Sequence, residues 1–490
     1  MNIEELQKEI VQYLLAKNVL ITPKILELIK KLNSEEKINL VKNKLNTTTI
    51  FSESLLVEYL SIKSDKTCSV EEGNVEVIFS YSEDHIKKKE VSDFVNYFKN
   101  RYKALEKILK NRPELQRTLS IGRVLDKKDS EKVSIIGLVS DISETKNGNL
   151  MLTLEDLSGS IKVLINKNKP DLFLEAKDIV NDEVIGVVGN NGDKIIFANN
   201  ILWPDVPLHK ELKKSPDEAY AIFLSDFHVG SIDFLPEKFE KFISWINGNS
   251  GTDEHKKIVK KIKYLFLVGD LIEGIGIYPG QEDELVLKSV YEQYKEGAKY
   301  LKKIPEHIKI IICPGNHDAM RISEPQPEIS KEFAPDLYDL PNVTLVSNPA
   351  VVKIHKTENF PGFNVLLYHG YSFDYYVANV DSIRNQGGYH RADLIMKFLL
   401  KRRHLSPAHT ATLYVPDIIE DPLVISTIPD FFATGHIHYT NVSNYNNITL
   451  ICGSCWQGQT SFQLKVGHDP EPSRVPLINL KTRKAKIMKF

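Results

Sequence analysis

Five short apolar runs in the second half of the chain each break off into residues of the kind that hold metal ions, and few folds accommodate that pattern. The runs are Ala221–Leu224, Tyr264–Val268, Ile308–Ile312, Val365–Tyr368 and Phe431–Ala433. They are followed in turn by Asp226-Phe-His228, Gly269-Asp270, Gly315-Asn316-His317-Asp318, His369-Gly370 and Gly435-His436-Ile-His438. Apolar runs of this length, alternating with helical segments, read as strands buried on both faces of a layered α/β fold. Residues at i and i+2 on extended backbone point the same way. Asp226 with His228, and His436 with His438, are therefore expected to face one site. The glycines permit the close approach that a crowded site demands. Mixed carboxylate, imidazole and amide donors suit borderline divalent ions such as Mn²⁺, Zn²⁺ or Fe²⁺. Any one cluster is commonplace; five in order, each at a strand end, are not.

At 490 residues, and roughly 150 per domain, the chain has room for about three domains. From Ile3 to about Leu45, Leu6, Ile10, Tyr13 and Leu14, then Ile25, Leu26, Ile29 and Leu32, recur at helical spacing. Thr22-Pro23 between them resembles an N-cap followed by proline at the first helical position. A helical module is expected over residues 1–50. Residues 51–115 read as a charge-mixed linker with one short strand at Val75–Phe79, then a helix from Val91 to about Leu109. Its apolar face carries Phe94, Phe98, Tyr102, Leu105 and Leu109. Over residues 116–207 five short strands begin near Val133, Leu150, Ser160, Val184 and Lys194. Asn147-Gly148, Ser158-Gly159 and Asn191-Gly192 supply turns, and a helical stretch, Asp171–Ala176, falls between the third and fourth strands. That is the pattern of an OB-fold-like barrel, although on strands alone other small barrels fit nearly as well. The α/β segment occupies residues 208–490, giving a multidomain α/β chain.

Lys+Arg at 63 against Asp+Glu at 65 gives a formal charge of −2. This argues against a uniformly basic nucleic-acid coat and leaves local patches open. Lys401-Arg-Arg-His404 reads equally as a contact to DNA backbone or as a solvated helix end. The basic terminus, Lys481-Thr-Arg-Lys-Ala-Lys, fits an edge strand better than a DNA-binding tail. Cys68, Cys313, Cys452 and Cys455 are too sparse for a disulfide scaffold and suit a reducing cytoplasm. Cys452-Gly-Ser-Cys455 lacks the two further ligands zinc would want and reads as structural. The acidic start is no signal peptide, and no apolar run approaches the ~20 residues of a membrane span. A cytoplasmic location with no membrane partner is expected.

The ordered series D-x-H, G-D, G-N-H-D, H-G and G-H-x-H resembles the signature of the calcineurin-like metallophosphoesterases, whose fold is an αββα sandwich. The resemblance implies a binuclear site. Asp226, His228, Asp270 and His438 would hold the first metal; Asp270 would bridge to the second, completed by Asn316, His369 and His436. His317 would sit near the leaving oxygen, with Asp318 orienting its ring. Mn²⁺ is expected first, with Zn²⁺, Fe²⁺ or Mg²⁺ as alternatives. Two ions about 3.5–4 Å apart activate water for in-line attack on phosphorus, so no protein nucleophile is required. A histidine, titrating near neutrality, suits the departing oxygen.

A helical module, a barrel and a phosphoesterase in that order resemble the B subunits of replicative DNA polymerases, most nearly the small subunits of the archaeal family D DNA polymerases. Asp93-Phe-Val-Asn-Tyr-Phe-Lys-Asn-Arg-Tyr, Leu400-Lys-Arg-Arg-His-Leu-Ser-Pro and Asp430-Phe-Phe-Ala-Thr-Gly-His carry the likeness, which runs from roughly Val91 to Phe490. Eukaryotic B subunits have lost the metal ligands; this chain keeps all of them. The resemblance implies a proofreading 3′→5′ exonuclease acting on the 3′ ends of DNA primer strands. It also implies a heterodimer with a large catalytic polymerase subunit. A non-catalytic scaffold and a stand-alone phosphoesterase are the alternatives. The barrel, with few aromatics for base stacking, is expected to dock protein rather than DNA. Gln7 to Leu14 partly resembles a sliding-clamp-binding motif but lacks the second aromatic; an amphipathic helix accounts for it better.

Overall fold

The computed structural model describes residues 73–82, 88–127, 130–416 and 419–490, with scattered positions before residue 73. The chain divides into two units, residues 1–72 and 73–490. In the first unit Ile10, Leu14 and Ile29 are helical and buried, as their spacing predicts. Leu6, Tyr13, Pro23, Ile25, Leu26, Leu32 and Cys68, and with them Gln7 and Glu9 of the clamp-like segment and most of the expected linker, lie outside the described residues.

In the second unit a strand, β1 (Val75–Ser80), and a helix, Val91–Leu109, precede five barrel strands. These are β2 (Lys132–Glu144), β3 (Leu150–Asp156), β4 (Gly159–Ile165), β5 (Val184–Gly192) and β6 (Ile195–Leu202). They form a closed barrel ordered β2-β3-β4-β6-β5. The length of β2 makes closure possible. Its first half, to Leu138, pairs with β5, and from Leu138 onward, through a bulge at Val139/Asp141, it pairs with β3. Asn191-Gly192 completes β5 instead of turning, and the chain reverses through Asp193-Lys194, where φ at Lys194 is 55°. Ile135, Val139, Leu152, Leu154, Val163, Val187 and Ile196 fill the interior.

The apolar runs after Trp203 become the central strands of two six-stranded sheets. The strands are β7 (Tyr220–Leu224), β8 (Ile262–Val268), β9 (Lys309–Cys313), β10 (Val343–Leu345), β11 (Ala350–Ile354), β12 (Phe363–Leu367), β13 (Phe431–Thr434), β14 (Asn441–Tyr445), β15 (Ile448–Cys452), β16 (Arg474–Asn479) and β17 (Ala485–Lys489). One sheet runs β10-β9-β8-β7-β16-β17, the other β1-β11-β12-β13-β15-β14. Alternation of side chains explains the layering. Phe223, Tyr264, Phe266, Val365, Leu367 and Phe431 meet between the sheets. Ile222, Leu224, Leu265 and Leu267 pack under the helices Pro236–Ile246 and Val290–Lys302, and Leu366 and Phe432 under the helix Ala392–Arg402. Strands covered on both sides have no polar face, hence the unbroken apolar runs. The ligand-bearing loops all leave the carboxyl ends of strands in these parallel sets: β7, β8, β9, β12 and β13.

On the helix Val91–Leu109, Tyr97 and Arg101 are fully buried, while Phe94 and Phe98 are only partly so. Arg101 pairs with Asp421 at 2.8 Å and donates to the Pro407 carbonyl at 2.7 Å. His404 lies 2.8 Å from the same carboxylate. Burial works against the charge on Asp421, yet His404 and Arg101 hold its carboxyl far below the usual range. Burial, reinforced by Arg101, pushes His404 down to about 4. The Lys401–His404 run is therefore no DNA-facing patch. Lys401 pairs with Glu175 at 2.5 Å over the Trp203 ring, Arg402 pairs with buried Glu183, and Arg403 donates to the Ile425 and Ser426 carbonyls. The Lys401 and Arg402 contacts fasten the barrel to the two-sheet body. The basic terminus forms the edge strand β17. Cys452 and Cys455 are buried free thiols, and burial pushes both up to about 12. Among the described residues no helix is long and apolar enough to cross a membrane.

Removing one partner of a buried ion pair strands the other. Arg101→Leu should therefore lower stability in urea denaturation by about 3–5 kcal/mol. Arg101→Leu combined with Asp421→Leu should recover much of that loss.

Candidate metal centre

Backbone hydrogen bonding continues past the strand ends. Asp226 N–H donates to the Gly269 carbonyl at 3.0 Å, His228 N–H to that of Asp270 at 3.1 Å, and Gly435 N–H to that of His369 at 2.8 Å. There the chain turns through left-handed conformations: φ is 51° at Asp226, 54° at His228, 52° at Asp270, 71° at His436 and 54° at His438. The expectation of extended i, i+2 pairs is thus corrected. These residues converge because the backbone coils, at a cost of about 1–3 kcal/mol each for non-glycine residues in such regions. Glycine is required where loops cross. A Cβ on Gly315 would fall 2.2 Å from Asp270 Oδ1, and one on Gly269 would fall 2.1 Å from His369 Nδ1.

The structure brings Asp226, His228, Asp270, Asn316, His369, His436 and His438 to one place. In one group His228 Nε2 lies 3.0 Å from His438 Nε2, and His438 Nε2 lies 3.4 Å from Asp226 Oδ1. His228 Nε2 is 3.8 Å from Asp270 Oδ2. In the other, His369 Nε2 is 3.2 Å from Asp270 Oδ2 and 3.0 Å from Asn316 Oδ1, and His436 Nδ1 is 3.0 Å from the same Asn316 oxygen. Asp270 belongs to both groups. Two donors at ~2.0–2.1 Å from one ion stand about 3.0–3.4 Å apart, so the closer of these spacings suit a shared ion. The far nitrogens are tied as well. His369 Nδ1 donates to the Val268 carbonyl at 3.0 Å, His228 Nδ1 pairs with Glu273 at 2.9 Å, and His436 Nε2 pairs with Asp374 at 3.0 Å. Such outer partners fix which nitrogen is left bare for a ligand.

Charge makes the same point. Burial raises the carboxyls of Asp226 and Asp270, but the surrounding imidazoles overcome it and hold both below their usual range, Asp270 well below. Burial favours neutral histidine, yet Asp270 pushes His369 up to about 10, and Glu273 with Asp270 pushes His228 up to about 9. The carboxylates thus demand positive charge in a dry place, which imidazolium protons or divalent ions can supply.

His317 and Asp318 stand differently from expectation. Asp318 accepts from Gly315 N–H at 2.8 Å, from Leu271 N–H at 3.4 Å and from the Tyr294 hydroxyl at 3.1 Å. The ring of His317 is held instead by the Glu273 carbonyl, to which Nδ1 donates at 2.8 Å. Asp318 therefore shapes the loop, and Glu273 sets the ring. Sequence reasoning missed both Glu273, buried and three residues after Asp270, and Asp374, which orients His436. The spacing Asp270-Leu-Ile-Glu273 was the available signal for the first. Nothing local marked the second.

Residues 221–441 match the family of the B subunits of DNA polymerases alpha and epsilon. Over 390 residues the chain is 40% identical to the DNA polymerase II small subunit of Methanothermobacter thermautotrophicus, covering 80% of this chain and 78% of that one. This chain belongs to the archaeal DNA polymerase II small-subunit family. It is also 33% identical over 495 residues to the Thermoplasma acidophilum small subunit, covering 98% of this chain and 92% of the relative. With the Pyrococcus furiosus small subunit the identity is 38%, and the match spans 82% of this chain but 64% of the relative. The chain thus spans somewhat less than two thirds of the longer family members.

Two outcomes follow for this small subunit. A divalent ion bound at these groups would be held about 10- to 100-fold more weakly by Glu273→Gln, read by calorimetry with Mn²⁺ as the probe, as loss of an outer partner does. Burial pushes Glu324 from 4.5 up to about 7, against hydrogen bonds from Thr412 and Tyr368. The folded state then holds a proton that the unfolded state releases, so its stabilising effect is present below pH 4.5 and lost as pH rises through 7. Relative to Glu324→Gln, the natural chain should lose up to about 1.4 kcal/mol per pH unit across that window in urea titrations.

Proposed function

We propose that the chain is the proofreading 3′→5′ exodeoxyribonuclease subunit of an archaeal DNA polymerase, hydrolysing DNA phosphodiesters with two divalent ions, Mn²⁺ by preference. The observation that carries this reading is the convergence of seven donors into two groups sharing Asp270, with several spacings of 3.0–3.4 Å. In this reading the two-sheet body is a calcineurin-like sandwich. The barrel is OB-like and docks a large catalytic subunit, and its exposed Leu157, Leu174 and Phe197 suit a protein surface.

Asp226, His228, Asp270 and His438 would hold one ion, and Asp270, Asn316, His369 and His436 the other. When bound, the ions would supply charge neutralisation at phosphorus and an activated water for in-line attack. The chain's own residues do the rest. Glu273 keeps the proton of His317 on Nδ1, leaving Nε2 as the atom that exchanges a proton with the departing 3′ oxygen. Asp374 fixes the Nε2 proton of His436 outward, so that Nδ1 faces the ligand group. Asp318, bonded to Gly315 and Leu271, keeps the loop carrying Asn316 and His317 against the loop carrying Asp270.

The test is Mn²⁺-dependent digestion of a 3′-mismatched primer labelled at its 5′ end, by the chain alone and with its large subunit. A ladder shortening from the 3′ end, reduced about 10²- to 10⁴-fold by His317→Ala, is expected. No digestion in either setting would make the chain a scaffold that has kept its ligands.

A further inference from the structure

Three of the clustered imidazoles present a bare nitrogen to the ligand groups because an acceptor holds the proton of the other nitrogen. His369 Nδ1 donates to the Val268 carbonyl, His228 Nδ1 pairs with Glu273, and His436 Nε2 pairs with Asp374. His438 is different. Its Nε2 faces inward, 3.0 Å from His228 Nε2 and 3.4 Å from Asp226 Oδ1, while its Nδ1 lies 2.9 Å from Nε2 of Gln463. An amide NH2 is a donor only, so the ring nitrogen it meets must accept. A neutral imidazole that accepts at Nδ1 carries its proton on Nε2. The nitrogen aimed at the ligand group is therefore the protonated one.

The neighbours of Gln463 fix which way its amide points. It sits on the helix Ser461–Val466, which begins with a capping box. Gln463 N–H donates to the Thr460 hydroxyl at 3.1 Å, and Gln463 Oε1 accepts from the Thr460 N–H at 3.2 Å. Turning the amide over would set its NH2 against the Thr460 N–H, donor against donor. The other end of the helix is tied as well. Gly467 closes it at φ 75°, and His468 N–H donates to the Gln463 carbonyl at 2.9 Å. One amide thus serves both a helix cap and an imidazole tautomer, and an ion on His438 Nε2 sets the two against each other. Coordination needs the ring proton on Nδ1 and an acceptor facing it, hence the loss of the bond to Thr460.

The geometry points to Gln463 as a positioning residue that makes the two ion positions unequal. The group of Asp270, Asn316, His369 and His436 fills first. The group of Asp226, His228, Asp270 and His438 fills second, because Gln463 must release the helix cap before His438 can offer its lone pair. The proposal rests on the two-ion reading of the site and on no particular substrate, and its test is made on ion binding so that the two fail separately.

The experiment is calorimetric titration of the full-length, ion-free chain with Mn²⁺. Two binding steps are expected, about 10-fold or more apart in affinity. Gln463→Glu keeps the capping box and offers two acceptor oxygens, one for Thr460 and one for His438. It should tighten the weaker step about 10- to 100-fold, the reach of an outer partner, and leave the tighter step in place. Thr460→Pro makes the same test without added charge. It removes the competing N–H at a position whose φ of −77° already suits proline, and it too should tighten the weaker step. Asp374→Ala, which frees the His436 proton, should weaken the tighter step instead. Two steps of equal affinity in the natural chain would overturn the proposal. So would a Gln463→Glu chain that gains equally at both steps, which is a general effect of charge, or a Thr460→Pro chain whose weaker step is unchanged. Absence of Mn²⁺ binding in the natural chain and in every variant would remove the two-ion reading itself.

Discussion

The carboxylate of Asp226 ties the two sheets together at their carboxyl ends. It follows β7, in one sheet, and both its oxygens accept from the His436 N–H, beyond β13 in the other, at 3.1 Å. Asp270 does the same within its own sheet, accepting from the His317 N–H at 2.8 Å. The groups that would coordinate ions are thus also the groups that close the loops over the ends of the strands. Their negative charge, shut away from water, is tolerable only because histidines from both sheets surround it. Loop position, protonation and ion binding are consequently one coupled problem at this end of the molecule.

Much of the architecture was legible because parallel strands covered on both faces have nowhere to place polar residues. β7, β8, β9, β12 and β13 could be marked to within two residues at either end, and the ligand loops with them. The barrel strands were legible through their turns, although Asn191 proved to be a buried strand residue whose side chain accepts from Glu131 N–H. What escaped has a common physical origin. The Arg101–Asp421 pair joins residues 320 positions apart, and Asp374 reaches His436 across 62. Such contacts leave no period or spacing in the chain. Left-handed backbone at Asp226 and His228 was likewise invisible, because nothing in Asp-Phe-His announces a coil in place of an extended strand.

The Lys401–His404 run shows how composition misleads when packing decides. Four cationic or potentially cationic residues in a row suggest a surface for phosphate, yet Arg402, Arg403 and His404 are buried. Arg402 spends its guanidinium on Glu183 and on the Phe398 ring, and Lys401 lies over Trp203. Carbonyls, a carboxylate and aromatic faces take up the charge that solvent or DNA would otherwise meet. The barrel is thereby held in one orientation against the sheets.

The coiled backbone at Asp226, His228, Asp270, His436 and His438 bears on how a lineage of such proteins can change. Five side chains sit where glycine or asparagine would be more comfortable, and the loop-closing bonds of Asp226 and Asp270, with the charge balance of the histidines, offset that strain only as a set. While selection acts on the site, the discomfort persists. Once it lapses, replacing the set together relaxes the turns, and going back would mean restoring five strained residues at once. Loss of the site is therefore a ratchet, and its descendants would be expected as inert, well-folded platforms that retain the two sheets and the barrel.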